Sequence, residues 1–175
     1  MRRRSAVTAA AALCLLAATA SVPLDWHLPA RIVRASYEIE RLGFVYSWGG
    51  GHAADPGPSL GTCVGYRGKI RPCPAADTLG LDCSGFSRWV YALAYGEDVL
   101  GPGNTDEQVR RLRRVDVGRP GDLVFYGQVT EKSINTHHVG VYLGGGKMMD
   151  SPYTGMVVRI DPVGGRKDFA GFYRY

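Results

Sequence analysis

The pattern of the chain changes once, at Pro120, and that change limits the folds open to it. Beyond it come five short β-rich segments separated by turns: GDLVFYG (121–127), HHVGVYLG (137–144), KMMDSP (147–152), MVVRID (156–161) and GFYRY (171–175). Before it the apolar residues recur at helical spacing. Residues 30–42 set Ile32, Val33, Tyr37 or Ser36, and Ile39 or Glu40 against Arg31, Arg34, Glu38 and Arg41. Residues 82–95 place Phe86, Trp89, Val90 and Leu93 on one face and end at Gly96. A third helix is expected at about 105–113, opened by Asn104 or Thr105, and its RRLRR run reads as a solvated face. Helices first and strands afterwards predict an α+β domain with helices packed on an antiparallel sheet.

The N-terminal 20 residues stand apart. Arg2, Arg3 and Arg4 precede the uncharged stretch AVTAAAALCLLAATA (6–20), which is too short to span a bilayer. Ala18-Thr19-Ala20 has the small-x-small form of a cleavage site, so residues 1–20 read as a secretory signal peptide cut near Ala20. An uncleaved anchor is the alternative. Residues 21–29, with Pro23 and Pro29, read as a linker to a domain at 30–175. Cleavage lowers the net charge from +5 to +2, too weak a basic excess for a dedicated nucleic-acid binder.

Cleavage also removes Cys14 and leaves Cys63, Cys73 and Cys83, an odd number for an exported protein. Cys63 and Cys73 bound a Gly/Pro-rich loop and are expected to pair, leaving Cys83 free. Zinc held by the three cysteines with His137 or His138 is the rival, but the spacing matches no compact zinc module.

Cys83 sits in LDCSGF, at the start of a helix, where unpaired N–H groups and the helix dipole favour thiolate. In HHVGVYL, Val139, Val141 and Leu143 share one strand face, and His138, Gly140 and Tyr142 share the other. His138 therefore points away from the aliphatic face, beside a glycine that lets another element approach, whereas His137 falls on the aliphatic face. A free thiol with a histidine is the pairing that nucleophilic catalysis needs. Asp150 joins them if Gly144-Gly145-Gly146 form a three-residue loop: Leu143 then pairs with Lys147, and Asp150 shares the face of His138.

LDCSGF, PGDLVFYG and HVGVYLGGGKMMDSPYTG, preceded by YSWGGG (46–51), resemble the motifs of NlpC-type cysteine peptidases, papain-like enzymes that cut cell-wall stem peptides. The resemblance runs from about Leu42 to Tyr175. It implies a papain-like α+β fold, with Cys83 as nucleophile, His138 as general base and then acid, and Asp150 in the orienting position often held by histidine. It also implies that Tyr46, Asp82 and Ser84 line the substrate site, with Tyr46 and the Cys83 N–H as oxyanion donors. The implied reaction is hydrolysis of a D-γ-glutamyl–diamino acid amide in peptidoglycan or muropeptides, without metal or organic cofactor. The protein is expected to be a secreted monomer, with no nucleic-acid partner and no stable membrane insertion after cleavage. An inactive wall-binding protein, or an amidase or acyltransferase on another substrate, are the alternatives. The loop between Cys63 and Cys73 lies outside the family's minimal pattern.

Overall fold

The computed structural model describes residues 27–175, so the expected signal peptide and most of the linker lie outside the described residues. Helix α1 spans Leu28–Glu40 and starts two residues earlier than expected, because Pro29 fits the first turn, where no N–H partner is needed. It buries Ile32, Ala35, Ser36 and Ile39, while Tyr37 stays at the surface. After the two-residue strands β1 (Ser59–Leu60) and β2 (Leu79–Gly80) comes helix α2, Cys83–Tyr95. Asp82 caps it by accepting the Gly85 N–H, and Gly96 closes it in the left-handed conformation.

Helix α3 covers only Thr105–Arg110. The expected remainder leaves the helix, and Arg113–Val115 form the edge strand β3 against the chain terminus. Strands β4 (Leu123–Val129), β5 (Ile134–Gly144), β6 (Lys147–Asp150), β7 (Arg159–Pro162) and β8 (Phe169–Arg174) complete a six-stranded sheet of order β3-β8-β4-β5-β6-β7. Every pairing in it is antiparallel.

One sheet face carries Leu123, Phe125, Val139 and Val141 into the main core, where they meet Ile32 and Ile39 of α1 and Phe86, Val90 and Tyr91 of α2. The other face holds a smaller cluster of Val124, Tyr126 and Met148. Leu93, expected in the core, is exposed; Arg88 on α2 is wholly buried instead. Its guanidinium donates to the carbonyls of Gly51, Ala53 and Ala54 and to the carboxylate of Asp98, all within 3 Å. The 46–54 loop is thereby tied to α2. The same contact needs small residues: a Cβ on Gly85 would stand 2.2 Å from the Gly50 carbonyl oxygen, and one on Gly51 only 2.5 Å from the Gly85 Cα. None of the helices among the described residues is long and apolar enough to cross a membrane.

Candidate active site

Cys83 opens α2 and is buried, with its thiol free. It approaches β5 from the helix side, where the Val139 backbone N–H meets its sulfur. The position next to Val139 in the chain is His138, directed to the opposite face, where it pairs across the sheet with Tyr126. The thiol and the imidazole thus flank one stretch of β5 backbone.

Asp150 reaches His138. Its Oδ2 lies 2.5 Å from His138 Nε2, and both side chains are buried. The register that allows this differs from the expected one. The turn between β5 and β6 has two residues, Gly145 and Gly146, both with positive φ, and Gly144 rather than Leu143 pairs with Lys147. A bulge between Tyr142 and Gly144 then restores Val141 opposite Met149, and continuing that register sets Asp150 opposite Gly140. The group that comes close at Gly140 is the Met148 side chain.

His137 departs from the aliphatic face assigned to it. The β4–β5 register slips between Tyr126 and Gly127, so that Tyr126 faces His138 and Gly127 faces Thr136. His137 is the extra residue of that bulge. Its side chain is half-exposed and bonded to Asp168, whose carboxyl is held below its usual range, chiefly by that hydrogen bond.

The electrostatics reverse one expectation. Burial pushes the Cys83 thiol well above its ordinary pKa, and the neighbouring Asp82 charge adds to this; the N–H groups of Val139 and Ser84 only partly oppose it. The α2 terminus does not act on sulfur as a free dipole, because the Asp82 carboxylate occupies it. His138 is held below its ordinary value by burial, against the hydrogen bond and charge of Asp150, with Arg166 and His137 lowering it further. Burial thus favours the neutral forms of both Cys83 and His138. Burial, with the Asp82 charge, also raises Tyr46, which keeps its phenolic proton as a donor.

A cleft of about 810 Å³ reaches Tyr46 and His138, while Cys83 and Asp150 are not among its lining residues. Tyr46, Trp48, His138, Pro152 and Tyr153 line it, with Lys69 and Arg166 as its cations and no carboxylate. Arg166 lies 3.6 Å from Asp150 and over the Tyr126 ring. Tyr66, Lys69 and Ile70 come from the loop closed by a Cys63–Cys73 disulfide, with Cα atoms 6.1 Å apart. That bond engages two of the three thiols required by the zinc alternative. Trp48 supports the loop, its indole N–H donating to the Val64 carbonyl and its ring packing edge-on against Tyr66.

Of the residues expected to contact substrate, Tyr46 lines the cleft; Asp82 and Ser84 do not, and the Ser84 hydroxyl donates to Asp82. Arg166, Lys69 and His52 do not stand out in the sequence as site residues. His52 bonds Asp82, and its only signal was its place directly after the glycine run of YSWGGGH.

The NlpC/P60 family model matches residues 43–167. The peptidoglycan endopeptidase RipA of Mycolicibacterium smegmatis is 35% identical over 127 residues, which are 71% of this chain and 22% of RipA. The chain thus spans under a quarter of that relative's length. A γ-D-glutamyl-L-lysine dipeptidyl-peptidase of Bacillus subtilis is 37% identical over 83 residues, 46% of this chain and 27% of that one. Structures of RipA mutated at a histidine and at a glutamate both superpose with TM-score 0.60 at 28% identity. The first covers 91% of this chain and 68% of the chain in that structure, the second 90% and 66%. RipD of Mycobacterium tuberculosis, described as a non-catalytic NlpC/p60 domain protein adapted to peptidoglycan binding, gives TM-score 0.58 at 27% identity over 82% of this chain and 96% of that one.

Proposed function

The chain belongs to the NlpC/P60 family, and from that premise we propose that it is a cysteine endopeptidase acting on stem peptides of peptidoglycan. The observation that carries the proposal is the buried His138–Asp150 pair on the β5 backbone that also meets the Cys83 thiol. Asp150 engages Nε2, which leaves Nδ1 of His138 to take the thiol proton as Sγ attacks the amide carbonyl. The tetrahedral oxyanion takes hydrogen bonds from the Cys83 N–H and the Tyr46 hydroxyl. His138 then protonates the leaving amine, and a thioester forms on Cys83. Water, deprotonated by His138, releases the acid and restores the thiol. Because both groups rest neutral, proton transfer to His138 accompanies attack, and Asp150 stabilises the imidazolium as it forms.

The histidine and glutamate mutated in the RipA structures stand twelve positions apart, as His138 and Asp150 do. This supports Asp150 in the third role, with a shorter carboxylate. The cations Lys69 and Arg166 suit a substrate rich in carboxylates, and the name of the Bacillus relative supports a D-γ-glutamyl–diamino acid bond as the target. Export belongs to the same proposal: a disulfide persists in an oxidising compartment, where peptidoglycan also lies. The likeness to RipD favours a second reading, wall binding without catalysis; the Cys83 thiol and the His138–Asp150 pair argue for catalysis. Mass spectrometry of a defined muropeptide after incubation tests the bond. The expected products carry a new α-amine on the diamino acid, and cleavage elsewhere in the stem overturns the assignment.

The pH profile tests the Asp150 role. Catalysis requires neutral His138, so activity should persist to below pH 6.5 and fall only as the imidazole, held below its ordinary value, takes up a proton. In Asp150→Asn the hydrogen bond and charge that raise the His138 pKa are weakened. The acid limb of kcat/KM should therefore move to still lower pH, while plateau kcat falls on the order of 10²–10⁴-fold. An unmoved limb with unchanged kcat would remove Asp150 from the mechanism.

A further inference from the structure

His52 lies between the glycine loop and the start of α2, with each ring nitrogen against an acceptor. Nδ1 is 2.8 Å from the carbonyl oxygen of Pro102, and Nε2 is 3.0 and 2.9 Å from the two carboxylate oxygens of Asp82. A carbonyl oxygen cannot donate. Asp82 is acting as an acceptor throughout: it also receives the Gly85 N–H at 2.7 Å, the Gly49 N–H at 3.2 Å and the Ser84 hydroxyl at 2.9 Å. A neutral imidazole has one N–H and would leave one of these contacts without a proton; the imidazolium satisfies both.

We propose that His52 is held as an imidazolium and serves as the counter-ion of Asp82, a positioning residue that limits the negative charge felt by the Cys83 thiol. The proposal rests on the reading of Cys83 as the nucleophile. Asp82 immediately precedes Cys83, and its charge disfavours thiolate. A cation on its far side offsets that charge while leaving the α2 cap intact. The charged groups around His52 are few. Asp82 faces it from the start of α2, and the Ser84 hydroxyl lies 3.3 Å from Nε2. Arg88 of the same helix disfavours the imidazolium but is itself paired with Asp98. From the 98–102 segment comes the Pro102 carbonyl. Burial opposes protonation of the ring; the hydrogen bond and charge of Asp82, with the Pro102 carbonyl, outweigh it and raise the pKa.

The test reads the thiol without any substrate. Iodoacetamide forms an S–CH₂ bond with loss of iodide, and peptide mapping assigns the adduct to Cys83. His52→Gln keeps a donor for Asp82 but removes the positive charge. At pH 7 it should slow Cys83 alkylation about tenfold, the effect of one pKa unit on the thiolate fraction. In an Asp82→Asn background the same substitution should change the rate little, because no charge remains to offset. Equal slowing in both backgrounds, or none in either, overturns the proposal and leaves His52 a structural residue. The ¹⁵N shifts of the His52 ring in the unmutated protein give a check that does not depend on variants folding. Two protonated nitrogens at pH 7 are expected, and a neutral tautomer overturns the proposal. An alkylation result as expected with no peptide cleavage would instead count against the peptidase reading.

Discussion

His138→Ala should abolish amide hydrolysis while leaving the protein folded. In the proposed mechanism His138 is the group that takes the thiol proton. The thiol is pushed far above its ordinary pKa by burial and by Asp82, so it has almost no thiolate at neutral pH without a base. The same imidazole must later protonate the leaving amine, so the loss falls on both halves of the reaction. Residues acting as one unit are not additive. His138→Ala and the double variant His138→Ala/Asp150→Asn should therefore be equally inactive, by a factor of at least about 10³. His137→Ala serves as the control. It sits on the bulge, half-exposed at the cleft, so it should alter KM more than kcat and leave the core intact. Steady-state kinetics on a stem peptide, with thermal unfolding to confirm the fold, checks both. Retained turnover in His138→Ala, or its loss only in folded His137→Ala, would show the wrong histidine has been assigned.

Arg88→Met should produce the largest loss of stability. The side chain is fully buried, and its donors serve three loop carbonyls and the Asp98 carboxylate. Methionine fills part of the volume but leaves the three loop carbonyls without their donor, the buried Gly51 carbonyl among them, while Asp98 lies partly exposed and keeps the Gly101 N–H. Removing the charged donor of these hydrogen bonds, with a buried carbonyl left unpaired, costs about 3–4 kcal/mol. For a domain of this size that is a drop of roughly 10 °C or more in the unfolding midpoint. Activity should fall as well, because the 51–54 segment carries the loop that holds Tyr46 and His52 against α2. An unchanged midpoint would mean that water replaces the guanidinium at no cost.

The face shared by His138 and Asp150 was legible in the sequence wherever period-2 alternation held. His138, Gly140 and Tyr142 share a face, and Asp150 joins it. The details failed at bulges. His137 alternates correctly on paper, but the β4–β5 register slips at Gly127, whose φ of 118° brings its backbone against Asn135 and Thr136. That slip belongs to the pairing of two strands, and neither strand alone shows it. The β5–β6 hairpin has a shorter turn than expected and a compensating bulge, so Asp150 reached the expected face by another route. The tail of the third helix became β3 because its partner is the chain terminus, about sixty positions away. The thiolate expectation considered the helix end alone. It left out Asp82, which caps the helix and places a negative charge beside the sulfur. Arg88 looked like an ordinary polar-face residue, and only the folded loop reveals the carbonyls it serves.

The fold and family establish the setting; the chemistry rests on one sulfur. The most direct measurement is the digestion of purified peptidoglycan by the unmutated protein and by Cys83→Ala side by side, with soluble fragments read by mass spectrometry and binding to the wall measured in the same samples. The account predicts fragments cut at the D-γ-glutamyl–diamino acid bond from the first, none from the second, and equal binding by both. Equal release by the two proteins would contradict it, as would binding without release from either.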